Sequence, residues 1–210
     1  MKVALIEKIN LRDQVKDLLL EKMRNGDIDP KKSISLAALG RELDVSVTPI
    51  REALTQLQTS NIVEAIPNRG FFIPELSNDE AKNLYQLVVS LESLAIQNST
   101  FSNDAINKLV EANAIFKNAD DEIQRINADI DFHEVLTSNY ENPIALKILS
   151  DLKTRIFFYE MDFMSKAENY TDSDEEHQQI IEFLKTKHIT KACEVLQNNW
   201  FKVLEKNDII

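Results

Sequence analysis

Leu11, Val15, Leu18, Leu19 and Met23 recur at helical spacing, so the first strong element is an amphipathic helix. Gly26 closes it, and Asp27-Ile28-Asp29-Pro30 reads as a turn. A short helix follows around Leu36, Leu39 and Leu43. Ser46-Val47-Thr48-Pro49, hydroxyls ahead of a proline, opens a third that continues through Ile50, Ala53, Leu54 and Leu57. The period then changes. Residues 61–66 and 70–73 are short β-prone runs on either side of Pro67-Asn68-Arg69-Gly70, which predicts a hairpin.

Ser77-Asn78-Asp79-Glu80 is a capping box that opens a helix through Leu84, Leu87, Leu91 and Leu94, to residue 98. The spacing predicts further helices over 103–117, 121–138, 143–166, 173–187 and 190–206, with no more strand signal. Pro143 suits a first helical position after Asn142, and Asp172 or Ser173 suits the cap of the next helix. The expected fold is mostly α. An N-terminal winged helix-turn-helix, three helices plus a β-hairpin wing, occupies 1–76, and an all-helical bundle occupies 77–210.

Composition narrows the class without changing that plan. Only 3 Gly and 5 Pro in 210 residues fit a helix-rich chain with short connections. No apolar run is long enough to span a bilayer, and the apolar stretch within Met1–Lys8 is too short for a secretory signal. The single cysteine, Cys193, has no partner for an internal disulfide, which leads us to expect a reducing cytoplasm and a small buried apolar residue. Charge is unevenly placed. Of 24 basic and 35 acidic residues, 11 of each fall in 1–76, so the remaining 13 and 24 give the second part the whole net charge of −11. A neutral head can still present a basic face, because the field depends on placement.

Helix, turn, hydroxyl-capped helix and hairpin together suit a reader of double-stranded DNA, whose recognition helix enters the major groove by its N-terminal end. Ser46 and Thr48 can bond phosphates, Arg51 can reach phosphate or guanine, and Arg69 at the hairpin tip can enter a minor groove. Taken singly, the same residues are also compatible with two capping hydroxyls and a solvated charge. The string Val45-Ser46-Val47-Thr48-Pro49-Ile50-Arg51-Glu52-Ala53-Leu54, then Leu57, Ile62-Val63 and Pro67-Asn68-Arg69-Gly70, closely resembles the GntR family of bacterial regulators. The resemblance covers residues 8–76 and implies DNA contacts at Ser46, Thr48, Arg51 and Gly70. Val47 and Ala37 stand where that family often has arginines, and Asp44 stands at its usual turn glycine. Two missing arginines would change base discrimination by about 1–3 kcal/mol each, so the operator is expected to differ from those of well-known relatives.

The second part carries polar residues on apolar stripes. His133 is in line with Ile123, Ile126 and Ile130, and Asp129 shares its face four residues earlier. His177 leads Ile180, Ile181 and Leu184; Asn199 follows Ala192, Val195 and Leu196. Burying such groups is costly unless they are paired or bind a metal. Asp129 and His133 at i, i+4 with His177 from another helix would form a three-ligand site for zinc, nickel or manganese. A core network is the alternative, with Asp129 orienting His133 and His177 bonded to a backbone carbonyl.

Asp129-Ile130-Asp131-Phe132-His133, then Asn142-Pro143 and Glu176-His177, resemble the FCD effector domain of the FadR subfamily over residues 77–206. The resemblance implies a divalent metal on Asp129, His133, His177 and a fourth position, and a small carboxylate effector bound with its help. Asn199 occupies that fourth position in place of histidine, and an amide oxygen is a harder ligand that shifts preference toward manganese or magnesium. Val88 stands where the subfamily often has an arginine.

His188 lies in a helix connection and is expected to be exposed, while Phe157, Phe158, Tyr159 and Phe163 suit a core or a dimer contact. Arg155, on the same helix, could face the pocket. The expected protein is a homodimer on an inverted-repeat operator, switched by a small effector or by the metal itself. No nucleophile motif, glycine-rich phosphate loop or tandem His-Asp dyad supports an enzyme.

Overall fold

The computed structural model describes residues 11–75, 77–164 and 171–205, with side chains described except at 161–164, 171 and 172. The expected helix ends at 166 and 206, the N-terminal stretch 1–8, Leu76 and the side chains of Phe163 and Asp172 lie outside the described residues. The chain divides into two compact units, one ending at Pro74 and one beginning at Glu75.

The first unit runs α1 (Leu11–Arg24), α2 (Leu36–Glu42), α3 (Val47–Thr59), β1 (Glu64–Ile66) and β2 (Gly70–Phe72). Val15, Leu19 and Met23 bury one face of α1 against Ile50, Ala53, Leu54 and Leu57 of α3. Fully burying each such aliphatic side chain contributes roughly 1.5–3 kcal/mol. Ser35 caps α2 by accepting from the Ala38 amide at 3.3 Å. The α2–α3 turn requires one left-handed residue, and Asp44 supplies it at φ 52°. The turn is closed by the Val45 amide donating to the Gly40 carbonyl at 3.1 Å. The hairpin is antiparallel, with Glu64 opposite Phe72 and Ile66 opposite Gly70, and the Ile34 amide donates to Phe71 at 2.8 Å to fasten the wing to the start of α2. This is a winged helix-turn-helix.

The second unit is all-helical among the described residues: α4 (Asn78–Gln97), α5 (Asn103–Lys117), α6 (Glu122–Thr137), α7 (Pro143–Met164), α8 (Thr171–Lys185) and α9 (Ile189–Glu205). Helix starts are capped as polar spacing dictates, by Ser77 on Glu80, Ser102 on Ala105 and Asp121 on Gln124. One expectation is placed and one corrected. Ser173 lies within α8, whose described residues run from Thr171. The buried face of α4 follows Leu84, Tyr85, Val88, Val89, Glu92, Ala95 and Ile96, whereas Leu87 and Leu94 are 52% and 42% exposed. Phe157 and Phe158 are buried, and Phe132, Ile156 and Trp200 join residues from α4, α5 and α8 in one core. Among the described residues no helix is long and apolar enough to cross a membrane.

Candidate functional site

The residues of the head expected to meet DNA lie at the start of α3 and at the tip of the wing. Ser46 is the N-cap of α3 in extended backbone, yet its hydroxyl makes no capping bond and remains free for another partner. Thr48 and Arg51 are exposed beside it, and their side chains make no hydrogen bond or ion pair among the described residues. By contrast the Thr55 hydroxyl donates to the Arg51 carbonyl at 2.8 Å. Four backbone N–H groups at the α3 N-terminus lack helical acceptors, which is the arrangement that receives phosphate. Val47 is 40% exposed in this turn, so the position where an arginine is common faces solvent as a valine. At the wing tip Gly70 has φ 105°, and no atom lies within 4 Å of where its Cβ would stand, so the glycine is required by conformation and not by crowding. Arg69 rests its guanidinium 5.2 Å from the Phe72 ring centre, a cation–π contact that holds it at the tip.

In the second unit α6 and α8 bring Asp129, His133 and His177 together, with one ligand-type atom from each lying within 4.8 Å of the others. His133 and His177 are fully buried, and Asp129 Oδ1 is 3.3 Å from His177 Nε2. The His177 ring is stacked on Phe132 at 3.8 Å and flanked by Phe116 at 4.9 Å. Burial pushes its imidazole below the usual pKa despite the neighbouring carboxylate, which keeps the ring neutral at pH 7.

The partners on the far side of each ring set the chemistry. His133 Nδ1 lies 2.8 Å from Glu92 Oε2, and His177 Nδ1 lies 3.2 Å from Asn113 Oδ1. A carboxylate only accepts, so His133 spends its proton on Nδ1 and turns a lone pair inward from Nε2; the Asn113 oxygen at His177 Nδ1 suits the same tautomer there without dictating it. Both Nε2 atoms are buried; that of His133 has no hydrogen-bond partner, and that of His177 faces only Asp129 Oδ1 at 3.3 Å among the described residues. Asp129 also only accepts. One carboxylate and two inward imidazole nitrogens converge within 4.8 Å, and with the ring protons on Nδ1 all three are acceptors, so the donor set fits a divalent metal. Neither feature of the expected network holds. Asp129 does not orient His133, which Glu92 does, and His177 bonds an asparagine side chain in place of a backbone carbonyl.

Asn199 is buried on α9, and its amide Nδ2 donates to Glu176 Oε2 at 3.0 Å, while Lys202 Nζ holds Glu176 Oε1 at 2.6 Å. Its Oδ1 is then the only side-chain atom able to face a cation. Val88 is wholly buried and apolar. His188 is exposed and lies 2.9 Å from the Thr186 hydroxyl. Arg155 pairs with Glu80 and is not free for a pocket.

Several residues of the site were not expected. Glu92 is fully buried and takes Lys153 Nζ at 2.7 Å and Trp200 Nε1 at 2.7 Å as well as His133. Burial opposes its ionisation, but His133 and Lys153 outweigh that and bring its pKa down to about 2. Glu160 accepts from the Tyr85 hydroxyl at 2.9 Å; burial, aided by Asp129, raises its pKa to about 8. The signal for Glu92 was a charge at i+7 from Tyr85 and i+4 from Val88 on a helical stripe.

A DNA-reading head and a helical unit with a ligand-type polar centre define a ligand-responsive regulator. The model of bacterial regulatory proteins of the gntR family matches residues 11–73, and that of the FCD domain matches residues 83–199. The chain belongs to the GntR family, with an FCD domain behind its winged head and an architecture like that of the FadR subfamily. It is 26% identical to the uncharacterised HTH-type transcriptional regulator YdhC of Bacillus subtilis (strain 168), over 78% of this chain and 76% of that one. Identity to the HTH-type transcriptional regulator McbR of Escherichia coli (strain K12) is 26%, over 72% and 71% of the two chains. The solved structure of a GntR transcriptional regulator from Rhodococcus sp. RHA1 superposes with TM-score 0.80 at 19% identity, covering 93% of this chain and 96% of that one.

Proposed function

We propose that this chain is a cytoplasmic, homodimeric transcriptional regulator whose affinity for an inverted-repeat operator is set by a small carboxylate bound with the help of a divalent metal. The observation that carries the reading is the convergence of the inward Nε2 atoms of His133 and His177 on Asp129 in an FCD domain, a domain type that often holds a metal. Asp129, His133 and His177 would hold zinc, nickel or manganese, with Asn199 Oδ1 as the fourth group. The ion would supply a Lewis-acidic anchor for an anionic effector. In the head, Ser46, Thr48, Arg51, Arg69 and Gly70 would meet the DNA, and two heads related by a two-fold axis demand a two-fold operator. Control then needs only that the effector bind one dimer geometry more tightly than another.

A second reading has its own support: the metal alone is the signal. Lys153, Arg155 and Lys202 of the second unit already face carboxylates, and Val88 offers no charge. Selection of duplexes from a random pool, followed by anisotropy titration, tests both. Affinity that responds to small carboxylates only when metal is present supports the first reading. A response to metal with no carboxylate effect supports the second, and failure to enrich any duplex sinks the regulator reading altogether.

A further inference from the structure

We propose that Glu92 is the positioning residue of the Asp129–His133–His177 centre, the group that makes His133 a metal donor; the inference rests on the metal reading above. Three elements aim donors at this one buried carboxylate. His133 Nδ1 of α6 and Trp200 Nε1 of α9 share Oε2 at 2.8 and 2.7 Å, and Lys153 Nζ of α7 takes Oε1 at 2.7 Å. Lysine ammonium and indole N–H have no acceptor capacity, so Glu92 must be ionised and must accept everywhere. The proton of His133 is therefore fixed on Nδ1, and its Nε2 lone pair is fixed toward Asp129 and His177.

The two histidines differ in this respect. Asn113 holds His177 through an amide, which offers oxygen or, if turned about, nitrogen, and so does not dictate a tautomer. Glu92 offers only oxygen. A carboxylate behind a ligating imidazole also raises its basicity, and loss of such a partner typically lowers metal affinity by about 10–100-fold. Lys153 serves a separate end, since it neutralises Glu92 without touching the ring.

The test compares full-length wild type, Glu92→Gln and Lys153→Met by zinc titration in competition with a chromophoric chelator, with a melting curve for each. Trp200, the single tryptophan, has its ring 4.4 Å from that of His133, so its emission reports occupancy of this site. Glu92→Gln is expected to bind zinc about 10–100-fold more weakly. Lys153→Met is expected to melt earlier yet bind zinc no more weakly than wild type, because the Glu92–His133 contact survives. If Glu92→Gln melts below the assay temperature, Glu92→Asp keeps the charge for Lys153 while withdrawing the oxygen from Nδ1, and the same loss is expected. Wild-type affinity in the Glu92 variants overturns the inference and leaves the metal reading standing. Losses that track melting temperature in all variants also overturn it, by reducing Glu92 to packing. Wild type that takes up no zinc, manganese or nickel overturns the metal reading and this inference with it.

Discussion

Asn199 gives its amide N–H to Glu176 at 3.0 Å, in the residue adjacent to His177, and Lys202 holds the other oxygen of the same carboxylate. Asn199 is thereby tied to the helix that carries a metal-type ligand. Replacing it by histidine removes one bond to Glu176, leaves the Lys202 contact, and adds an imidazole of the softness that zinc and nickel prefer. Asn199→His is expected to tighten zinc binding on the order of tenfold and to shift preference away from manganese. Chelator-competition titrations with each metal check this. Unchanged affinity would mean that residue 199 does not reach the ion.

The metal reading makes a second demand, on content and stability together. Protein purified without added metal or chelator is expected to carry near-stoichiometric metal by elemental mass spectrometry, and an Asp129→Ala/His133→Ala variant to carry none. Metal that binds only the folded chain stabilises it by about 2.7 kcal/mol at one hundred times its dissociation constant. Chelation should therefore lower the melting temperature of wild type and leave that of the double variant unmoved. Equal metal in both proteins would place it elsewhere.

How much of this could be read before the fold is decided by sequence distance. The stripes of α6, α8 and α9 place Asp129, His133, His177 and Asn199 inward because each is judged against neighbours three or four residues away. Asp44 in the turn and Gly70 in the wing follow from local conformation in the same way. Glu92 was harder to see because Leu84, Leu87, Leu91 and Leu94 also make a helical stripe, and reading that stripe as the core puts Glu92 on the outside. Burial shows the core turned toward Tyr85, Val88 and Glu92, with Leu87 and Leu94 in solvent. Glu92 meets His133 across 41 residues and Trp200 across 108, and His177 meets Asn113 across 64. No periodicity within one helix encodes such pairs; only the packing of α4, α5, α6, α8 and α9 does.

Lys153 provides a test of how that packing is held. It is 1% exposed and faces an equally buried Glu92, so Lys153→Met leaves a carboxylate in the core with its charge uncompensated. Breaking a buried pair from one side costs about 3–5 kcal/mol. A Lys153→Met/Glu92→Leu double variant replaces both charges by apolar groups but strands the N–H groups of His133 and Trp200 at about 1–3 kcal/mol each, so it should recover at most a small part of that loss. Urea unfolding at constant m-value measures each step; a double variant less stable than Lys153→Met would show that the carboxylate is valued for more than its pairing.

At the head, Arg51 is exposed and unpaired among the described residues, so Arg51→Ala should leave stability within about 0.5 kcal/mol of wild type. Loss of a bidentate base contact would weaken operator binding by about 1–3 kcal/mol and relax sequence preference at one position of each half-site. Arg69→Ala should instead weaken all sequences alike and reduce the salt slope by about one. Val47→Arg places a cation in the first turn of α3, where the valine is already 40% exposed, and should tighten DNA binding and make it more salt-sensitive without a folding cost. Anisotropy titrations at several salt concentrations separate these three outcomes. If Arg51→Ala lowers affinity equally for operator and random duplex, Arg51 is a phosphate contact and base reading must come from elsewhere on α3.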